Sequence, residues 1–83
     1  MCHQNDKAMR HTEEYTSATH GTLRTVNFCG EGYLWWDLQI INLINNTFGA
    51  GTANTVIRVF GCIVTTDAGQ FVLNCQKETI KRK

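Results

Sequence analysis

No proline interrupts the 83 residues of this chain, so nothing of that kind marks a boundary between two domains. No internal repeat or low-complexity tract is visible, and a chain this short cannot build a second core. Residues 1–83 read as one domain. None of the four cysteines, Cys2, Cys29, Cys62 and Cys75, forms a C-x-x-C pair, which excludes zinc-ribbon and dithiol redox motifs. No apolar run approaches the roughly 20 residues that cross a bilayer, and residues 1–7 lack the apolar core of a signal peptide. The expectation is a cytoplasmic protein without membrane contact, in which the acceptor pattern Asn45-Asn46-Thr47 goes unused.

Charge is also scarce. Charged residues make up 18% of the chain and apolar ones 42%, against roughly 25% charged in an average domain. That balance favours a folded chain over a disordered one. It also leaves surface to be covered by a larger protein partner or a second copy, that is, a homo-oligomer. The formal charge of +1 is uneven. Residues 77–83 carry four basic groups and one acid, so the C-terminal end is basic and the rest mildly acidic.

What is present is strand-like at the C-terminal end. Residues 55–65 are rich in Val and Ile and read as a strand buried on both faces. Residues 70–78 alternate, with Phe71, Leu73 and Cys75 against Val72, Asn74 and Gln76. Asp67-Ala68-Gly69 suits a three-residue hairpin loop with Gly69 left-handed, because Ala68 resists the positive φ of a type I′ turn. In that register Ile63 faces Leu73, Thr65 faces Phe71, Arg58 forms an ion pair with Glu78, and Cys62 stays away from Cys75. The thiols are then expected to be reduced, with Cys62 and Cys75 as packing residues.

Residues 22–29 favour a third strand, broken by Gly30-Glu31-Gly32. Residues 33–48 admit two readings. As a helix, Leu34, Trp36, Ile40, Ile41, Leu43, Ile44 and Phe48 share one side and Gly49 ends it; Asp37, Trp35 and Leu38 are misfits. As a strand over 33–41, alternate residues separate and Gly30-Glu31-Gly32 becomes a hairpin loop. The helix accounts for more residues. The expected architecture is α+β, a three-stranded antiparallel sheet with the C-terminal hairpin and one packed helix; the alternative is a four-stranded meander. Residues 1–20 read as a polar arm or a short helix over 6–15, and residues 79–83 as a basic tail.

No motif carries catalysis. Cys2, His3, His11, His20 and Cys29 have no ligand spacing that demands a metal, although His3 with a free amino terminus suits copper or nickel. Cys29 before a glycine turn is a conceivable nucleophile without an orienting group. Gly49-Ala50-Gly51-Thr52 opens no helix and is followed by no lysine, unlike a phosphate loop. No cofactor, metal or enzymatic activity is expected. The strongest candidate is Trp35, because adjacent Trp35 and Trp36 cannot enter one core face in either secondary structure. Trp36 joins the apolar side, and Trp35 is either covered by the N-terminal arm or exposed as an anchor. The function expected is a non-enzymatic protein-binding inhibitor or regulator of the phage or virus accessory type, with Trp35, Leu38, Asn42 and Asn46 as contacts. The alternative is nucleic-acid binding through Arg24, Arg58, Lys77, Lys81, Arg82 and Lys83.

Overall fold

The computed structural model describes residues 15–83. The chain runs β1 (Tyr15–Ser17), β2 (Gly21–Phe28), β3 (Glu31–Trp36), α1 (Asp37–Phe48), β4 (Val56–Phe60), β5 (Ile63–Thr66), β6 (Gly69–Asn74) and β7 (Thr79–Arg82). Two antiparallel meanders result, β1-β2-β3 and β4-β5-β6-β7, with the helix between them in sequence. The α+β expectation holds, but among the described residues seven strands in two sheets replace the single three-stranded sheet. The expected helix over 6–15 lies outside the described residues except for Tyr15, which belongs to β1.

Residues 33–48 satisfy both readings in turn. They are strand to Trp36 and helix from Asp37. Asp37, a misfit on the helical template, is where one becomes the other. Its carboxylate sits in the first helical turn, where negative charge is favourable. It also accepts hydrogen bonds from the Arg24 guanidinium (2.9 Å) and the Thr22 N–H (3.4 Å) of β2. The Gln39 side chain reaches back to accept the Trp36 N–H at 2.8 Å, satisfying one of the donors a helix start exposes. At the far end the Gly49 N–H returns to the Asn45 carbonyl, with Gly49 at φ 127°. Asn45 then holds the following loop by two side-chain bonds to the Ala53 backbone.

Turn chemistry accounts for the remaining differences. Cys29 and Gly30 both have positive φ, 56° and 79°, as a type I′ hairpin requires, and Phe28 faces Glu31 across it. Gly61, at φ 63°, folds residues 55–65 into two strands, with Phe60 facing Ile63. The strand expected to be buried on both faces is therefore an edge strand and its neighbour. Ile57 and Phe60 are exposed.

The β5–β6 hairpin turns where expected but one residue out of register. Thr66 faces Gly69, Thr65 faces Gln70 and Ile63 faces Val72. The Thr66 hydroxyl accepts the Ala68 N–H and donates to the Gly69 carbonyl. Asp67 and Ala68 thus stay at negative φ while Gly69 takes φ 109°. Because the Gly61 turn puts Arg58 on β4, it faces Thr65 of β5 and its guanidinium lies over the Phe60 ring, so the expected Arg58–Glu78 ion pair is not formed. Cys62 still does not oppose Cys75; its carbonyl accepts the Leu73 N–H. The supposed basic tail is β7, in which Ile80 pairs with Leu73 and is buried.

Val26, Ile40, Ile41, Ile44, Val56, Val64, Phe71, Leu73 and Ile80 form one buried cluster drawn from both sheets and the helix. The sheets are also joined directly, by the Asn27 N–H to the Gly61 carbonyl at 2.8 Å. In the β5–β6 turn, Asp67 accepts the backbone N–H groups of Asn54 (2.9 Å) and Thr55 (3.2 Å). Those bonds hold its carboxyl below the usual aspartate range. A depressed native pKa supplies stability that is present above the unfolded-state value, ~3.9, and disappears as pH falls through the native one. Asp67→Ala should therefore flatten the acid limb of a stability–pH curve below about pH 4. Parallel acid limbs in urea titrations of the two proteins would contradict this.

Candidate functional surfaces

The outward face of the four-stranded sheet is where side chains of binding chemistry converge. Strand alternation turns Val64, Phe71, Leu73 and Ile80 into the core. The opposite face then carries Phe60, Ile63, Val72 and Lys81 in one cross-strand row, and Arg58, Thr65 and Gln70 in the next. A bond from the Lys83 N–H to the Gln70 carbonyl at 3.2 Å extends that second row. Each row crosses four strands, roughly 14 Å at about 4.8 Å per strand. Phe60 is 70% exposed at the sheet edge.

Two shallow cavities lie on this face. One, about 330 Å³, is lined by Arg58, Phe60, Ile63, Thr65, Gln70 and Lys83. The other, about 280 Å³, is bounded by Phe28, Val72, Asn74, Lys77, Thr79, Ile80 and Lys81. Ile63 of the first lining and Val72 of the second are cross-strand partners, so the two cavities lie side by side and together make up an outer trough. Four cations and two phenylalanine rings border it, and neither lining includes an aspartate or glutamate.

The six basic residues singled out from sequence therefore divide. Arg58, Lys77, Lys81 and Lys83 border the trough. Arg24 is committed inside the fold, to Asp37 and to the Val56 carbonyl (3.3 Å). Arg82 faces the other side of the sheet, its guanidinium 5.0 Å from the Phe48 ring centre and 5.4 Å from that of Phe71. Sequence reading missed Phe28 and Phe60. The signal for Phe60 was Gly61, a turn residue that makes its neighbour the end of a strand.

The Trp35 candidate has a different setting. Trp35 lies on β3 and packs half-buried against the core. With Asn42, Asn46, Gln39, Leu43 and Glu78 it lines a groove of about 320 Å³. Leu38 is not part of it. That side chain sits beside His20, Asp37 and Asn54 around a separate cavity of about 240 Å³. Three of the four expected contacts are thus neighbours and the fourth is elsewhere.

Cysteine chemistry is partly corrected. Cys62 and Cys75 are free thiols, but Cys29 is disulfide-bonded. A disulfide holds no thiolate for nucleophilic work, and the cysteines no longer argue for a reducing compartment. Burial pushes the Cys75 thiol up to about 12, against a hydrogen bond from Trp35 that favours the thiolate. Glu31, buried at 3%, accepts the Tyr33 hydroxyl at 3.2 Å; burial first, then that carboxylate, raises the Tyr33 pKa. Among the described residues no three His, Cys, Asp or Glu side chains assemble as metal ligands. Cys2, His3 and His11 lie outside the described residues. His20 stacks near Trp36, 5.4 Å between ring centres. Among the described residues, no helix is long and apolar enough to cross a membrane. No family model, curated protein or solved structure matches the chain.

Proposed function

We propose that the protein is a non-enzymatic nucleic-acid-binding module that takes a single strand along the outer trough of its four-stranded sheet. The observation that carries this reading is the composition of the trough: four cations, two aromatic rings and no acid. Phosphate contacts supply affinity without regard to sequence. Exposed rings give each unpaired base a face to stack on. A paired base offers no such face, so the ligand is single-stranded.

The test is fluorescence anisotropy with a labelled oligothymidylate at low salt. Phe60→Ala should weaken binding about 5- to 150-fold, the range expected for losing one stacked base. Its thermal stability should stay close to wild type, because the ring is 70% exposed. Unchanged affinity in this variant would remove the stacking role.

A second reading has its own observation. Trp35, Asn42 and Asn46 line one groove, which supports a protein partner engaged there by an inhibitor or regulator. An oligonucleotide that fails to bind in the experiment above would shift the weight to that groove.

A further inference from the structure

We infer that the cavity between Phe28 and β7 is a pocket for one nucleotide, with the base against the Phe28 ring and the phosphate between Lys77 and Lys81. This deepens the trough reading and rests on it. Phe28 comes from the other sheet, so its arrival beside β6 and β7 is a product of tertiary structure. The end of β2 is pinned there by the Asn27 N–H to the Gly61 carbonyl, 2.8 Å. The Phe28–Glu31 pairing across the Cys29-Gly30 turn fixes the same end.

The opposite wall is built by the β6–β7 connection. Asn74 accepts the Lys77 N–H through its side-chain oxygen at 3.2 Å. That bond orders the loop and leaves the amide NH₂ of Asn74 available as a donor. Thr79 pairs with Asn74 across the ladder and adds a hydroxyl, while Lys81 pairs with Val72. The cavity therefore offers three chemistries within about 280 Å³: a flat apolar wall, neutral hydrogen-bonding groups, and two ammonium groups.

Each simpler ligand leaves one of these unused. Inorganic phosphate would engage the lysines and ignore Phe28 and Val72. A phospholipid headgroup carries the charge but no flat ring. An uncharged aromatic would leave both lysines without a partner. A nucleoside monophosphate uses all three, and this cavity is more enclosed than its neighbour beside Phe60.

The probe is adenosine monophosphate, titrated into the whole chain and followed through backbone amide NMR shifts. Adenosine and inorganic phosphate are titrated in parallel. The expected result is a shift pattern centred on Asn74, Lys77, Thr79 and Lys81, with adenosine and phosphate each binding at least about tenfold more weakly. Phe28→Ala should raise the dissociation constant about fivefold or more, within the range for a lost stacking partner. Lys81→Gln, at an exposed position that leaves the fold alone, should raise it about threefold or more.

Phosphate binding as tightly as the nucleotide would reduce the cavity to an anion site and overturn the inference. So would shifts centred on Phe60, or affinity for the nucleotide that neither variant changes. Oligothymidylate binding that persists alongside such a result would overturn the pocket and spare the trough. Absence of both would overturn the two together.

Discussion

Phe71→Ala is expected to destabilise the fold by about 3–5 kcal/mol, the cost of removing a fully enclosed aromatic and leaving a cavity. Phe71 is wholly buried and is among the largest such side chains. Its ring lies 5.4 Å from that of Phe48 at the end of the helix. Its strand neighbours are Val64 on one side and Arg82 on the other. The helix and the four-stranded sheet are thus both anchored on this one ring. A protein of this size has roughly 4–12 kcal/mol of total stability, so the variant would keep only part of it. The melting temperature should fall by roughly 12–40 °C. Thermal unfolding followed by circular dichroism measures it. A fall of only a few degrees would contradict the packing. Phe60→Ala is the control, the same chemical change at a residue that supports nothing beneath it.

Replacing Arg58, Lys77, Lys81 and Lys83 together by glutamine should remove most of the affinity for a single strand. Each neutralised phosphate contributes about −0.7 to the slope of log affinity against log salt for single strands, so four give roughly −3. Wild-type affinity would then fall about 50-fold between 50 and 200 mM salt. Extrapolated to 1 M, the same slope attributes roughly three to four orders of magnitude to charge at 50 mM. The quadruple variant should lose about that much at low salt and show a nearly flat salt dependence. Anisotropy at four or five salt concentrations gives both slopes. A wild-type slope near zero would deny the trough its phosphate contacts. An unchanged slope in the variant would move those contacts to other cations.

The parts of the fold that sequence could supply were those encoded locally. The alternation of residues 70–78 is a strand, the β-branched run before it is another, and Asp67-Ala68-Gly69 is the bend between them. The register was lost because Thr66 takes over the turn with its hydroxyl, a contact that propensity does not register. The strand and helix readings of 33–48 competed because Leu34 and Trp36 fit both periods. Asp37 and Gln39 decide the matter as helix-start signals, although Asp37 is a misfit on the helical wheel. The split of the basic residues needed tertiary information. Arg24 and Lys81 are equally basic in sequence, and only the approach of Asp37 to β2 separates a structural cation from a surface one. The pairing of Phe28 with β6 and β7 is of the same kind, since the two lie more than forty positions apart.

The junction between the two sheets also bears on how the protein behaves at high concentration. β4 is an outer strand, and outer strands offer unpaired backbone groups on which a foreign strand can grow. Here the ladder is broken by a bulge between Val56 and Arg58. Arg24 takes the Val56 carbonyl at one end, and Asn27 takes the Gly61 carbonyl just past the other. A template bulged at its start and occupied at both ends gives an incoming strand only a short stretch of register to copy. The contacts that hold the two meanders together thereby also guard this margin against fibril-like growth, although Ile57 and Phe60 beside it are exposed and sticky.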